Sequence, residues 1–345
     1  MTPHSGVPQA GTPTAGVALT EIPVVDLGTD GFDRLIRDYR DRLDMILGAA
    51  RRQYTSPVLW LGDRLSRGWA SRADLPYLDE YAAVAAAVGQ PGAWLLNFSY
   101  EWGCTAAVVR DGPSGAPRLL RTMDWQMPTL GRTLLAVRRR GAAGVWLNLS
   151  WPGFVGTVQA VASGRFAAAL NQAPDPDSGC GQVGDWLAGK VAIWRNGLMP
   201  PALLLRAVFD DCRTFAQARA RLIETPICAG ALFTLVGTVA GDSVVIERTR
   251  RGAVTHDGLA AVSNHWLTPG LPGRSRSRWT VERLAAIRSH QATRGADARP
   301  FAWLAPPILN DTTRVALEAV PGTGALWVRG YEPEGRVTRT AALAA

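Results

Sequence analysis

Two short apolar runs joined by a turn constrain the fold of this chain more than any other feature. They cover residues 104–109 and 118–123, and the turn residues Asp111-Gly112-Pro113-Ser114-Gly115 separate them. Short runs with β-branched residues that end at a turn are typical of buried strands. The pattern therefore predicts two neighbouring strands of one antiparallel, hairpin-like unit.

This hairpin-like unit brings three chemically different side chains to one end. Cys104 opens the first run directly after Gly103, and Arg121 and Asp124 lie where the second run ends. Because antiparallel strands run in opposite directions, the start of one lies beside the end of the other. A thiol, a permanent cation and a carboxylate are therefore expected close together.

The rest of the chain is divided into strand-like and helical segments. Apolar runs bounded by turn residues predict strands at residues 17–27, 133–139, 145–149, 156–162, 166–170, 231–239, 243–249, 259–263, 314–320, 325–329 and 336–340. Helical spacing of apolar residues predicts helices at residues 32–52, 75–88, 183–195, 201–212, 215–223 and 279–290. The order helix, strands, helices, strands predicts an α+β fold, with antiparallel sheets packed face to face and helices outside.

The chain changes in composition and charge along its length. Residues 1–18 are rich in Pro, Gly, Thr and Ala and are predicted to be disordered. Residues 1–103 carry nine basic and 12 acidic residues, a net charge of −3, whereas residues 104–345 carry 28 and 17, a net charge of +11. Opposite charges favour association of these two parts, although salt weakens the attraction.

The sequence also limits the expected compartment and partners. It shows no secretory leader and no apolar stretch of transmembrane length, and its four cysteines match neither a zinc pattern nor a disulfide scaffold. We therefore expect a cytoplasmic protein without a metal or another cofactor. The arginine runs lack the basic stripe with interleaved aromatic residues that is typical of nucleic-acid binding, so no nucleic-acid partner is expected.

Cys104 has a structural and a catalytic interpretation. A single cysteine is more often a small buried apolar residue, which is the interpretation for Cys212 and Cys228, while Cys180 lies in a loop. Cys104 differs because it begins a strand after Gly103. Cleavage between these two residues would give Cys104 a free α-amine, whose pKa near ~8 suits a general base at neutral pH without any histidine.

Five further polar residues have two interpretations each. Arg121 and Asp124 form either a surface ion pair or a site in which arginine favours the thiolate and aspartate holds the amine. Asn264 and Asn171, each at the end of a predicted strand, are either turn residues or donors of an oxyanion hole. Arg278 either begins a helix or supplies a cation to the site.

Seven short motifs follow one another in a fixed order between about residues 20 and 330. They are Asn97-Phe98-Ser99-Tyr100-Glu101, Cys104-Thr105-Ala106, Arg121-Thr122-Met123-Asp124-Trp125, Trp151-Pro152-Gly153-Phe154-Val155-Gly156, Phe166-Ala167-Ala168-Ala169-Leu170-Asn171, Ser263-Asn264-His265-Trp266 and Asn310-Asp311-Thr312-Thr313. As an ordered set they resemble the N-terminal-nucleophile (Ntn) cysteine hydrolases of the acid ceramidase and N-acylethanolamine acid amidase type. Choloylglycine hydrolases and penicillin V acylase are more distant relatives in this resemblance.

The resemblance implies an αββα four-layer sandwich of two antiparallel sheets with flanking helices. It also implies autocatalytic cleavage after Gly103, which would divide the chain into a helical segment, residues 19–103, and a catalytic segment, residues 104–345, that stay associated. The implied site residues are Cys104, Arg121, Asp124, Asn171, Asn264 and Arg278. Of these, Cys104 would be the nucleophile and Asn264 would stabilise the oxyanion.

One position departs from the pattern of the ceramidase-like members. They have an acidic residue after the asparagine that matches Asn171, whereas this chain has Gln172. The carboxylate partner of Arg121 is therefore unidentified, which leaves the substrate open. Asn171 itself matches the asparagine of the bile-salt and penicillin acylase branch, and Arg278 the late arginine of the bile-salt hydrolase branch.

The resemblance predicts a hydrolase of linear, non-peptide N-acyl amides that acts through a Cys104 thioester. The expected substrate is a small molecule with an apolar acyl group, and 13 tryptophans, several beside the motifs, are consistent with an apolar pocket. Two alternatives remain open: an acyltransferase that uses the same thioester, and a non-catalytic lipid-binding protein with the same fold. A homo-oligomer is equally compatible with the sequence.

Overall fold

Two β-sheets form the centre of this protein, whose computed structural model describes residues 18–73, 75–99, 101–111, 115–177, 179, 181–294 and 300–345. Tyr100 and Cys180 lie outside these described residues, as do residues 1–17 of the stretch predicted to be disordered. The strands are β1 (Val24–Gly28), β2 (Gly103–Asp111), β3 (Ala116–Asp124), β4 (Leu135–Gly141), β5 (Gly144–Ser150), β6 (Gln159–Ala162), β7 (Phe166–Gln172), β8 (Ala231–Val236), β9 (Ser243–Arg248), β10 (Ala253–Asp257), β11 (Ala261–Val262), β12 (Thr313–Val320), β13 (Ala325–Glu332), β14 (Gly335–Arg336) and β15 (Ala341–Ala344). The helices are α1 (Asp33–Asp38), α2 (Arg40–Tyr54), α3 (Ser56–Arg72), α4 (Leu78–Val88), α5 (Ala93–Phe98), α6 (Gly181–Trp194), α7 (Pro201–Asp211), α8 (Phe215–Glu224) and α9 (Thr280–Arg294).

The two sheets are mostly antiparallel. The first has the order β1-β4-β5-β6-β7-β8-β9-β10, and the second has the order β11-β2-β3-β12-β13-β14, with β15 paired to β13. Among the described strands, β1 and β4 pair in parallel and the other pairs are antiparallel. This arrangement confirms the α+β prediction.

The layers follow the predicted sandwich. Strands β2 and β3 of the second sheet contact β7 and β8 of the first, and buried apolar side chains such as Met123 and Ala169 fill the space between them. Helices α7 and α8 contact the first sheet, and α9 contacts the second. The order helix, sheet, sheet, helix confirms the αββα architecture.

The N-terminal part of the chain completes the first sheet and covers its edge. Strand β1 pairs with β4 through Val25 and Val137. A second apolar core joins Leu35 and Leu47 of the N-terminal helices to Leu203 of α7. Residues upstream of Cys104 therefore bury apolar surface against the downstream sheet, which favours their association.

The predicted hairpin-like unit is confirmed by β2 and β3, which pair Gly103 with Asp124 and Cys104 with Met123. Because side chains alternate between the two faces of a strand, this register separates the three candidate residues. The side chains of Cys104 and Arg121 meet between the sheets, whereas the side chain of Asp124 points to the α9 side. They share one end of the unit but not one face.

Three differences from the predicted elements have identifiable causes. The pattern predicts one helix over residues 32–52, but Tyr39, with φ −129° and ψ 41°, separates α1 from α2. The pattern predicts no helix at α3, because Trp60 and Leu61 are exposed and blur the apolar period. It predicts no strand at β10 or β15, whose side chains are partly exposed where these strands lie at sheet edges.

No helix among the described residues is both long enough and apolar enough to span a bilayer.

Candidate active site

Cys104 lies at the start of β2, with its side chain between the two sheets and no exposed surface in the uncut chain. Its Sγ atom is 3.1 Å from Nη2 of Arg121 and 3.9 Å from the carbonyl oxygen of Leu170. Burial raises the pKa of the Cys104 thiol above its ordinary value, and the positive charge of Arg121 acts in the opposite direction without cancelling this effect. Burial therefore favours the protonated thiol.

Arg121 is fully buried and is held by uncharged groups. Its Nη1 donates to the carbonyl oxygen of Val158 at 2.9 Å and to the side-chain Oε1 of Gln159. Its Nη2 donates to the carbonyl oxygen of Leu170 at 2.7 Å and contacts the Cys104 sulfur. In the described part of the chain, none of these partners is a carboxylate.

Asp124 forms a buried ion pair on the opposite face of the second sheet. Its Oδ2 accepts from Nη1 of Arg283 at 2.9 Å, and its Oδ1 accepts from the hydroxyl of Thr313 at 2.9 Å. Within the described residues, its hydrogen bonds go to these groups rather than to the nitrogen of Cys104. Asp124 is therefore close to the site, but its contact with the amine stays a prediction.

Asn264 contacts the backbone of the candidate nucleophile directly. Its Oδ1 accepts from the backbone nitrogen of Cys104 at 2.7 Å, and its Nδ2 donates to the carbonyl oxygen of Gln172 at 3.0 Å. A side-chain amide has two N–H donors, so one remains for another acceptor. The structure thus places Asn264 where the new α-amine would form, and its role toward an oxyanion stays a prediction.

Asn171 lies on β7, fully buried, and faces the same space between the sheets. Its Nδ2 donates to the carbonyl oxygens of Ser263 at 3.1 Å and of Val262 at 3.4 Å. Its Oδ1 has no hydrogen-bond partner within the described residues. Asn171 therefore borders the loop that carries Asn264, and its role as an oxyanion donor is untested.

The cation that reaches this site from α9 is Arg283, not the predicted Arg278. Arg278 is exposed, and its carbonyl oxygen accepts from Nε of Arg283 at 3.2 Å. Arg283 is fully buried; its guanidinium donates to Oδ2 of Asp124, to the hydroxyl of Thr105 at 3.0 Å and to Oδ1 of Asn264 at 3.1 Å. Helix α9 begins at Thr280, so Arg278 precedes this helix.

A sequence signal for Arg283 did exist. Arg283 has the helical spacing of the buried residues Thr280 and Ile287, so it lies on the face of α9 that packs on the sheet. Lysine and arginine are almost never fully buried unless they are paired. A cation on the apolar face of a predicted helix therefore indicates a buried partner, which here is Asp124.

Gly103, the residue before Cys104, lies against Ser277. A Cβ atom added to Gly103 would be 2.6 Å from Oγ and 2.7 Å from Cβ of Ser277. Ser277 has a positive φ of 65°, and its Oγ also accepts from Nη2 of Arg283. The loop before α9 therefore packs directly on the Gly103–Cys104 peptide, with no room for a larger residue before Cys104.

An apolar pocket adjoins Cys104 through Met123, its partner in the β2–β3 pairing. The lining comes from the N-terminal helices, from β3 and from the loops that follow β3 and β5, and it is mostly apolar. The lining residues are Leu43, Ile46, Leu47, Val88, Gly92, Ala93, Leu96, Asn97, Trp102, Met123, Trp125, Met127, Leu130, Trp151, Pro152, Gly153, Phe154 and Val158. Such a pocket suits an apolar ligand group. Among the described residues, no cluster of His, Cys, Asp and Glu side chains could hold a metal ion.

Comparisons with known proteins agree with this fold. No protein-family model matches the chain. In sequence, it is 28% identical over 117 residues to acid ceramidase from Homo sapiens and 29% identical over 118 residues to acid ceramidase from Pan troglodytes. Each match covers 34% of this chain and 28% of the ceramidase, so the chain aligns with little more than a quarter of either relative.

A solved structure extends the likeness beyond the aligned sequence. The Caenorhabditis elegans N-acylethanolamine-hydrolyzing acid amidase ortholog superposes with a TM-score of 0.51 at 16% sequence identity, over 64% of this chain and 93% of that one. At this identity the match shows a shared fold. The chain therefore shares the fold of this acid amidase ortholog, which is of the Ntn-hydrolase type.

Proposed function

We propose that this protein is an autoprocessed cysteine amidase that hydrolyses a linear N-acyl amide. The observation that carries the proposal is the position of Cys104. Its thiol contacts the buried Arg121, its backbone nitrogen donates to Asn264, and an apolar pocket adjoins its strand. Arrangements of a nucleophile, a cation and hydrogen-bonding amides are suited to acyl transfer.

The first step is cleavage of the chain itself. The Cys104 sulfur attacks the Gly103 carbonyl carbon, a C–S bond forms, the C–N bond breaks, and the Cys104 nitrogen takes up a proton. Water then hydrolyses the thioester, which releases a carboxylate on Gly103 and restores the thiol. Cys104 is left with a free α-amine beside Oδ1 of Asn264, which already accepts from that nitrogen in the uncut chain.

Turnover repeats the same chemistry on an external amide. The α-amine, with a pKa near ~8, takes the proton of the thiol and returns it to the leaving amine. The second N–H of Asn264 is the donor that we assign to the oxyanion, and Asn171 is a second candidate. Water then hydrolyses the acyl-thioester and releases the acid.

The apolar pocket is proposed to hold the acyl group of the substrate. Leu43 and Leu47 contribute to it from α2, and Met123 and Trp151 contribute from the catalytic segment. Burial of an acyl chain contributes about 0.8 kcal/mol per methylene group. The pocket thus requires both segments of a cut chain.

The two segments of a cut chain are expected to stay associated. They share the β1–β4 pairing and a buried apolar core. Buried charges also join them: Arg206 of α7 pairs with Glu80 of α4 at 2.6 Å, and its guanidinium lies 3.9 Å from the ring centroid of Tyr77. Cleavage of one peptide bond removes none of these contacts.

Intact-mass analysis combined with an amide-hydrolysis assay tests this function. We expect wild type to give two fragments, residues 1–103 and 104–345, that purify together, and to release fatty acid from N-acyl amides. The matched variant Cys104→Ala should stay a single chain without hydrolysis, whereas Cys228→Ala, at a buried cysteine in the second apolar core, should behave like wild type. A wild-type chain that stays uncut and inactive under all conditions would refute the proposal.

A further inference from the structure

Gln159 is a fully buried polar residue that neither the motifs nor the proposed mechanism accounts for. It lies on β6 opposite Ala169 of β7, and its Oε1 accepts from Nη1 of Arg121. Its Nε2 has no hydrogen-bond partner among the described residues. A buried amide with an unpaired donor destabilises a fold relative to an apolar side chain of similar size, so packing alone does not explain a glutamine here.

The charges around the thiol are unevenly compensated. Arg121 on β3, Asp124 at the end of β3 and Arg283 on α9 are the charged groups that act on Cys104. Asp124 and Arg283 neutralise each other on the far face of the sheet. The hydrogen-bond partners of Arg121 in the described residues are uncharged, apart from the thiol itself once that loses its proton.

We infer that Gln159 is a positioning residue that holds Arg121 against Cys104 through a neutral amide, leaving the guanidinium charge available to the thiolate. This inference rests on the proposed function, in which Cys104 is the nucleophile. A carboxylate at position 159 would have the same shape and would form an ion pair with Arg121. The thiolate would then compete with a second anion for one cation.

The structure assigns the neutral partner of Arg121 to a different position from the one that the motif comparison indicates. The motif comparison points to Gln172 as the position where Arg121 loses an acidic partner. Side chains alternate along β7, and Asn171 faces the space between the sheets, so the Gln172 side chain faces the opposite side. The neutral partner of Arg121 is Gln159, on the neighbouring strand.

The pH dependence of Cys104 alkylation in Gln159→Glu tests the inference. The cut, purified protein is treated with iodoacetamide between pH 5 and 10, and modification is measured by mass on the peptide that contains Cys104. For Gln159→Glu we expect the apparent thiol pKa to rise by about one unit, which makes alkylation at neutral pH about tenfold slower. Thermal unfolding of each variant shows that the fold is retained.

Two further variants separate charge from shape. Gln159→Met removes the hydrogen bond that holds Arg121 but adds no charge, so the apparent thiol pKa should rise by about 0.5 units, less than in Gln159→Glu. Gln172→Glu makes the same isosteric change on the opposite face of the sheet and should leave the thiol pKa unchanged. If Gln159→Glu does not fold, the Gln159→Met result still decides, because a thiol pKa unchanged from wild type in that variant would contradict a role in holding Arg121 against Cys104.

An unchanged thiol pKa in folded Gln159→Glu would overturn the inference, as would equal shifts in Gln159→Glu and Gln172→Glu. Failure of the proposed function is recognised separately. Alkylation of the Cys104 peptide needs no amide substrate, so it is measured on the cut protein independently of amide turnover. A protein that hydrolyses no amide but shows the expected shift in Gln159→Glu would retain the Gln159–Arg121 relationship without the proposed activity.

Discussion

Arg283 and Asp124 form an ion pair of 2.9 Å between fully or nearly fully buried side chains, on the face of the second sheet opposite the thiol of Cys104. The same guanidinium donates to Oδ1 of Asn264, which in turn accepts from the Cys104 nitrogen. A chain of contacts thus runs from Asp124 through Arg283 and Asn264 to the peptide bond that we propose is cut. We propose that Asp124 acts indirectly in this arrangement, by fixing Arg283.

Asp124→Asn should slow both processing and amide turnover by about tenfold or more. Loss of the carboxylate leaves Arg283 buried without its counter-ion, and breaking a buried pair in this way destabilises proteins by about 3–5 kcal/mol. Arg283 would then turn toward other acceptors and release Asn264. Processing is measured by intact mass over time, and stability by thermal unfolding.

Arg283→Met is the matched variant for this pair, because it keeps an unbranched apolar stem and removes the charge. We expect the same loss of processing, and a smaller additional loss when it is combined with Asp124→Asn. Arg278→Met, at the exposed arginine five residues earlier, should process like wild type. If the two losses in processing rate were fully additive in the double variant, the two residues would act independently.

Processing should accelerate as pH rises. Burial raises the pKa of the Cys104 thiol, so the protonated thiol is favoured in the folded, uncut chain. The stability that this protonated thiol contributes is present at lower pH and is lost as pH rises through the raised pKa. Below the thiol pKa, each pH unit increases the thiolate fraction about tenfold. The cleavage rate, followed by intact mass from pH 6 to 9, should therefore rise steadily. A rate that is fastest at the acidic end would show that removal of the thiol proton does not limit cleavage.

The elements could be predicted from the sequence where the side chains of a strand or helix are buried in a regular way. Strands β2 and β3 are buried on both faces for most of their length, and their short apolar runs indicate this. Helix α3 could not be predicted in this way, since Val58, Trp60, Leu61 and Leu65 are all about half exposed. A local apolar pattern indicates which residues are buried. The secondary structure that it predicts is ambiguous where apolar residues face solvent.

For the site, the sequence predicts which residue types lie near one strand end, but it does not predict how their side chains contact one another. Cys104, Arg121, Asp124, Asn171 and Asn264 do lie together, but the face on which each side chain lies follows from register. Arg283 and Gln159 come from α9 and β6, which reach Cys104 only through packing between layers. Their contacts with Asn264 and Arg121 depend on tertiary structure, which no local pattern encodes.

Gly103→Ala should block or strongly slow processing because the new Cβ would overlap Ser277, whose own Cβ would lie 2.7 Å away. Such short contacts would force the scissile peptide or the loop before α9 to move. Small displacements of reacting groups slow reactions by about 100-fold. Ser277→Gly should rescue this variant, because glycine removes the contact and also suits the positive φ of position 277. Gly68→Ala, on α3 with open space around it, should process normally. Failure of the double variant Gly103→Ala/Ser277→Gly to recover would show that the overlap is not the cause.

Ala93→Leu should shift the acyl-chain preference toward shorter amides. Ala93 begins α5 and lines the apolar pocket, so a larger side chain there occupies volume that we assign to the acyl group. Excluding two methylene groups removes about 1.6 kcal/mol of burial, so kcat/KM for the longest favoured amide should fall about tenfold. Short-chain amides should be hydrolysed as before. Ala86→Leu, at an exposed position on α4, is the control and should keep the wild-type profile. Equal loss for all chain lengths in Ala93→Leu would place the acyl group elsewhere.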